Sequence, residues 1–357
     1  MTAECKDLPI PLQLLAAGAV TSVGMSLSTS AAAIRASLDN FQDTHFFDAQ
    51  GNSLRGARIP HPAQDDDTLA GGHERLAGLL DMAIEECLHV AGLHNQLPDR
   101  ATCILLCPEQ RSSYYSGLAA TCLQRGLAHY HPSAKPYYGH IGGEATDCAT
   151  ALSLAAQVIH TRHSSHVLLL SVDSWLNTPD IAQALREDRL LTEDQPSGFI
   201  PGEAAVALLL GPSTATPDSQ PSGLQIVGSA QAQEPATLLS QAPCYGKGLA
   251  TAIKAALAQA GIQAHEVDLR LADLAGEEFF FEESSYAWSR LLRADLPTNH
   301  QFIQPANSLG NIGAASGPLM LAYAWYLSRI CRAPGANTLI QLSTPQQARA
   351  ALVVRVV

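Results

Sequence analysis

Positive charge is scarce in this 357-residue chain: 21 Lys and Arg stand against 33 Asp and Glu, for a formal net charge of −12. No cluster gathers the basic residues, so the electrostatic footprint of a nucleic-acid binder is missing. An acidic surface is also repelled by anionic lipid headgroups, which argues against a membrane surface as partner. Long apolar runs are absent. AAVALLLG (204–211) has strand length, well short of the about 18 residues that mark a membrane-spanning helix. The opening MTAECKDLPIP puts an acidic residue and prolines where a secretory leader is basic, so a cytoplasmic protein is expected. No C-x-x-C pair, phosphate-binding G-x-x-x-x-G-K-[ST] loop, G-x-G-x-x-G after a first strand or G-x-S-x-G elbow occurs. The eight cysteines (Cys5, Cys87, Cys103, Cys107, Cys122, Cys148, Cys244 and Cys331) then read as reduced, and mostly as small core residues.

What is present is material for a core. Hydrophobic residues make up 46% and charged residues 15%, a globular composition long enough for one large or two medium domains. Strand and helix signals alternate. A strand over 12–24 precedes a capped helix over 28–38, and a polar stretch with short strands fills 41–72. A helix over 73–92 leads to the strand TCILLC (102–107). A small-residue helix over 145–161 feeds the buried strand VLLLSV (167–172), then a polar helix over 178–190. GFIPGEAAVALLLG (198–211) is a turn into another buried strand. Residues 212–223, PSTATPDSQPSG, have linker composition. Beyond them the alternation resumes: strand 224–230, helix 247–261, strand 268–273, helices 282–293 and 313–330, and strands near 337–343 and 350–357. Such alternation implies parallel βαβ layers. Two halves, 1–211 and 224–357, each hold one helix rich in Ala, Gly and Ser (145–159 and 313–326). A helix that is small and apolar all round is buried between sheets, so the two are expected to be corresponding central helices of a duplicated domain.

Several segments, in order along nearly the whole chain, resemble the β-ketoacyl synthases of the thiolase-like superfamily. GAVTSVG (Gly18–Gly24) resembles that family's G-x-x-T-P-x-G start. HVAGLHNQLPDRATCILLC resembles its AL-x-DAGL passage. Ala145–Ser174 resembles the nucleophile helix and its strand. GFIPGEAAVALLL is closely similar to G-F-V-P-G-E-G-A-A-x-L-V-L, and G-N-I-G-A-A-S (Gly310–Ser316) to the G-N-T-S-A-A-S of type III enzymes. The resemblance implies an α/β thiolase-like fold, with two duplicated βαβ halves in an αβαβα arrangement. It also implies a homodimer, or a heterodimer with a synthase. Acyl carrier protein or acyl-CoA would supply the thioester substrate, with no further cofactor and no metal.

Condensing enzymes of this family use a Cys thiolate at the start of a buried helix, where the helix dipole and backbone amides lower the thiol pKa and stabilise an oxyanion. Cys148 in T-D-C-A-T is the matching nucleophile. Aligned without gaps from the far end of the helix, however, Ala145 takes that position and Cys148 lies one turn deeper, about 5 Å. Asn311 matches an Asn that donates to a thioester carbonyl in relatives; an N-cap is its structural reading. Ala145, Gly310 and Gly313 would line the substrate site, with Gly202, Glu203 and Phe199 as structural neighbours. The family's H-G-T-G-T should follow the strand of the second half, where this chain reads DLAGEEFFFEE (Asp273–Glu283). The next His, His300, falls in a loop, and Pro305–Asn307 is only faintly similar to the type III H-Q-A-N. The Lys of K-x-x-x-G-H is gone, and LSTPQQ (Leu342–Gln347) replaces the Gly-rich C-terminal loop.

His160, His163 and His166 read as a solvated helix-to-strand turn rather than a metal site, having no further ligand nearby. Glu277–Glu278 and Glu282–Glu283, flanking three Phe, read as a solvated face beside a packed strand. Two functions follow. One is acyl transfer through Cys148, with Asn311 polarising the thioester. The other is a non-catalytic thiolase-fold subunit that pairs with an active synthase or serves as a scaffold.

Overall fold

A computed structural model describes residues 11–60, 72–93, 97–98, 100–123, 138–213, 223–240 and 242–357. Cys5 and most of the 212–223 linker fall outside them. Among the described residues twelve strands are assigned: β1 (Leu12–Thr21), β2 (Gln42–Phe47), β3 (Ser53–Gly56), β4 (Ala101–Cys107), β5 (Tyr138–Gly142) and β6 (His166–Ser174), then β7 (Glu203–Pro212), β8 (Leu224–Gln233), β9 (Leu269–Ala272), β10 (Gln301–Ile303), β11 (Asn337–Ser343) and β12 (Ala348–Val356). The helices used below are α1 (Leu27–Arg35), α2 (His73–Val90), α3 (Cys148–His160), α4 (Thr178–Arg186), α5 (Lys247–Ala260), α6 (Glu278–Leu291), α7 (Ala306–Leu309) and α8 (Ser316–Arg329).

β2 and β3 form a separate ribbon; the other ten strands lie in the order β10-β9-β11-β12-β8-β1-β7-β6-β4-β5. Counted within each half, that order is third-second-fourth-fifth-first on both sides. β7 runs antiparallel to β1 and β6, and β12 antiparallel to β8 and β11, while the remaining neighbours within each half are parallel. The halves meet where β1 pairs antiparallel with β8, Leu12 opposite Ile226 and Leu14 opposite Leu224.

Side-chain alternation builds the layers. Along β1, Leu12, Leu14, Ala17 and Ala19 enter a central core, while Ala16 and Val20 enter the core under α2. Along β12, Ala350, Leu352 and Val354 enter the same central core, and Ala351 and Val353 the one under α5. α3 and α8 fill the space between the sheets, α8 with ten of its fourteen residues buried. α2 covers the first sheet and α5 and α6 the second. The result is the expected αβαβα stacking. No helix among the described residues is long and apolar enough to cross a membrane.

Three differences from the sequence expectation have local causes. The polar helix expected to reach residue 190 stops at Arg186, because Asp188 adopts a left-handed backbone (φ 52°). The helix expected at 282–293 begins four residues earlier, at Glu278, and ends at Leu291. The strands β5 and β10 and the one-turn α7 are too short or too glycine-rich to show periodicity.

Gly18 on β1 and Gly228 on β8 occupy corresponding first strands, and each lets a covering helix lie against the strand backbone. A Cβ at Gly18 would overlap the Ala83 carbonyl of α2, and one at Gly228 the Ala256 carbonyl of α5. Gly18→Ala and Gly228→Ala are each expected to lower unfolding stability by about 1–3 kcal/mol, the usual cost of overpacking, with an unchanged denaturant m-value in urea titration.

Candidate functional site

Two of the motif segments find each other in space. The N–H of Asn311 donates to the Ile200 carbonyl (2.8 Å), and the N–H of Gly202 donates to the Asn311 carbonyl (2.9 Å). The approach is close enough to exclude side chains. A Cβ at Gly202 would overlap the Leu309 carbonyl, and Gly310 sits at φ 65° against the Ile200 carbonyl. Phe199 is fully buried, edge-on to Trp175 with centroids 4.9 Å apart. Glu203, next in the chain, points away from the site. It accepts from Arg75 (2.6 and 2.7 Å), the Ile59 amide (2.7 Å) and Ser174 Oγ (2.9 Å). It therefore ties the start of β7 to α2.

Both central helices open through a 3-10 turn, Ala145–Asp147 before α3 and Gly313–Ala315 before α8. Arg111 joins the two turns. Its guanidinium grips Asp173 at the end of β6 (2.9 and 2.6 Å) and Glu144 just before the first turn (2.9 and 2.8 Å), and lies over the Trp175 ring at 4.0 Å. Asp173 in turn accepts from the Ala314 amide in the second turn (2.6 Å). Tyr115 adds its hydroxyl to Asp180 (2.9 Å) and to the Ser174 carbonyl (2.5 Å). Gly313 (φ 53°) has no room for a Cβ because the Arg111–Asp173 pair occupies that space. Burial pushes Asp173 up to about 6, against the pull of Arg111.

The turns face a small cavity of about 40 Å³, lined among others by Glu144, Ala145, Asp273, Asn311, Gly313 and Ser316. That is room for about three waters at about 10–15 Å³ each, not for an acyl chain. Arg189 and Glu277, paired at 2.8 and 3.2 Å, form part of the wall. Asn311 is held by its own loop: its Oδ1 accepts from the Gly313 amide (2.9 Å). Among the sequence candidates, Ala145, Asn311 and Gly313 line this cavity, and Gly310 lines a second, adjoining one.

Cys148 is not brought into the cavity, contrary to its expected role. It is the first residue of α3 proper, fully buried, and packs where α3 crosses α8. A Cβ on Gly317 would come within 2.7 Å of its Cβ and 3.0 Å of its Sγ. Burial raises its thiol pKa strongly, with Asp147 adding to the effect, the reverse of what a thiolate nucleophile needs. The reason is helical phase. The 3-10 turn occupies 145–147, so the helix start that faces the cavity is Ala145, one turn before Cys148.

Sequence reasoning missed Asp273. It directly follows β9, at the head of the segment searched for a histidine, and it is half-buried and lines the cavity. Its Oδ2 accepts from the Ser343 amide (2.8 Å), and burial pushes it up to about 7. A search for conservative exchanges at that position, rather than for His itself, could have found it. Arg111 carried no local signal, since its partner lies 62 residues away. The expected solvated reading holds for Glu278 and Glu282, which are exposed, but not for the other two glutamates. Glu277 and Glu283 are buried, held by Arg189 and by Arg349 (Nε to Oε1, 2.7 Å) respectively. Among the described residues one group has metal-ligand spacing, Glu234, Cys244 and Glu283. Its carboxylates already serve the Gly248 amide (2.6 Å) and Arg349. His163 and His166 bond only to Thr161 and Ser165, at 2.7 and 3.0 Å. His300 bonds to the Val267 carbonyl (2.8 Å) and does not line the cavity.

No family model matches the chain, and no curated protein does. Solved structures do, over the full length. The AntDE:AntF complex, a type II PKS acyl-carrier protein with its ketosynthase bound to the hexaketide, matches at 14% identity and TM-score 0.75, covering 98% of this chain and 100% of that one. The ketosynthase ApeO in complex with its chain length factor ApeC from Xenorhabdus doucetiae matches at 14% identity and TM-score 0.71, with 98% of each chain covered. A β-ketoacyl synthase from Burkholderia phymatum matches at 15% identity and TM-score 0.69, covering 98% of this chain and 100% of that one. The chain has the thiolase-like fold of the ketosynthases.

Arg111→Met should cost about 3–5 kcal/mol, the usual result of stranding a buried charge, here Asp173, measured by chemical denaturation. Asp273 gives a pH test. Its folded pKa lies above the ordinary carboxylate value, so between about pH 4 and 7 the folded state holds a proton that the unfolded chain has released. Its contribution to stability is therefore full below pH 4 and lost as pH rises through 7. Asp273→Asn is expected to flatten this fall, and its Tm relative to wild type should improve between pH 5 and 8.

Proposed function

We propose that the chain is a thiolase-fold subunit without a condensing nucleophile, working beside an active ketosynthase as its heterodimeric partner. The observation that carries this reading is the placement of Ala145, rather than Cys148, at the cavity-facing helix start. A methyl group cannot attack a thioester, and a core thiol held protonated by burial cannot reach one. The competing reading, acyl transfer through Cys148 with Asn311 polarising the carbonyl, requires the sulfur to leave its contact with α8 and move about one helical turn, about 5 Å. No histidine lines either cavity. The similarity to a ketosynthase paired with its chain length factor supports the pairing, and that to a ketosynthase carrying its acyl-carrier protein supports an acyl-carrier or acyl-CoA thioester as the ligand of the assembled pair. The chain would work in the cytoplasm, its halves 1–211 and 224–357 forming one body around the cavity, with no metal or organic cofactor. A homodimer is the alternative assembly.

Intact mass after incubation with acyl-CoA and acyl-carrier thioesters is expected to show no adduct on the wild type or on Cys148→Ala. Ala145→Cys, which returns a thiol to the helix start, should alkylate with iodoacetamide at least tenfold faster than Cys148 in the native wild type. A wild-type adduct that disappears in Cys148→Ala would overturn the proposal.

A further inference from the structure

Asp273, Asn311 and Ser316 are the three residues common to both cavities, so they stand at the junction of a polar chamber and a smaller apolar one of about 10 Å³ lined by Ile312, Leu319 and Met320. Asp273 has one oxygen committed to the Ser343 amide. Asn311 has its Oδ1 committed to Gly313, which fixes the direction of its Nδ2. Ala145 begins a 3-10 turn, where position leaves its backbone amide without an intrahelical acceptor. A carboxylate, a fixed amide donor and an orphan backbone N–H thus share a chamber with room for water and with no thiol in it.

We propose that this junction hydrolyses short acyl thioesters, with Asp273 as general base and Asn311 as donor to the carbonyl oxygen. Asp273 takes a proton from a water, and the water oxygen bonds to the thioester carbon. Asn311 Nδ2 and the Ala145 amide donate to the oxygen that becomes negative. Collapse breaks the carbon–sulfur bond, and the proton held by Asp273 goes to the departing thiolate. One water is consumed; a carboxylic acid and a thiol are released. The apolar chamber has room for about one water-sized group, so it takes the methyl of an acetyl unit and excludes longer acyl chains. Burial keeps the Asp273 carboxyl near neutrality, where a general base works best. The inference rests on the preceding section for its substrate class and goes beyond it by giving the subunit a chemistry of its own.

The test uses the full chain with acetyl-CoA and octanoyl-CoA, following free thiol with a chromogenic disulfide. Acetyl-CoA hydrolysis above the buffer rate is expected, rising with pH through about 7, and octanoyl-CoA should be slower. Asp273→Asn should lower the rate about 10²-fold or more, and Asn311→Ala about 10-fold or more, both with wild-type circular dichroism. Cys148→Ala should leave it unchanged. Hydrolysis no faster than buffer, or a full rate in folded Asp273→Asn, would overturn the proposal. So would an acyl adduct lost in Ser316→Ala, which would mark a covalent route instead. Association with a ketosynthase, followed by light scattering on the same samples, reports separately on the pairing.

Discussion

Arg111 is the point on which the centre of this molecule depends. One buried guanidinium neutralises Asp173 and Glu144 and stacks on Trp175, and through Asp173 it holds the amide that opens the second central helix. Planar bidentate geometry is what allows one cation to serve two carboxylates, and a lysine could not do the same. The pair also dictates its surroundings. Gly313 is a glycine because the ion pair fills the space of a Cβ. The α3 and α8 helix starts face each other because both are bonded, directly or through Asp173, to this group.

The duplication accounts for why the cavity lies where it does. Each half brings one small-residue helix to the central layer, and each enters through the same kind of tight turn. Superposing two such entries creates a chamber lined by carboxylates, Glu144 from the first half and Asp273 and Glu277 from the second, and burial raises the pKa of the latter two.

The fold was legible in the sequence because its signals are long and repeated. Buried strands such as VLLLSV and AAVALLL, and the two Ala-rich helices, announce their burial by composition alone. Fragments such as β5 and β10 were not legible, since five or three residues carry no period. For the site, two of the motif loops are bonded to each other, and Asn311 and Gly313 line the cavity. The choice between Ala145 and Cys148 turned on three residues of 3-10 geometry, which no residue pattern states. Gapless alignment of the helix end pointed to Ala145, whereas the local T-D-C-A-T match pointed to Cys148. Buried ion pairs such as Arg189–Glu277 and Arg349–Glu283 were invisible because their partners are 88 and 66 residues apart. Charge in a phenylalanine-rich stretch reads as surface until its counter-ion is placed.

The loops around the cavity are joined largely through main-chain atoms: Ala57 to Pro201, Trp175 to Gly202, Gly202 to Asn311 and Asn311 to Ile200. Wiring of that kind is blind to residue identity, provided that the few glycines at the closest approaches remain. Outside the Arg111 network, side chains can therefore be exchanged on an intact frame, and chemistry can change while the architecture stays put. An overall identity as low as 14% beside a TM-score of 0.75 is the expected signature of such a scaffold. In lineages built on it, divergence would be read first at the chamber walls and last at the peptide bonds that hold them.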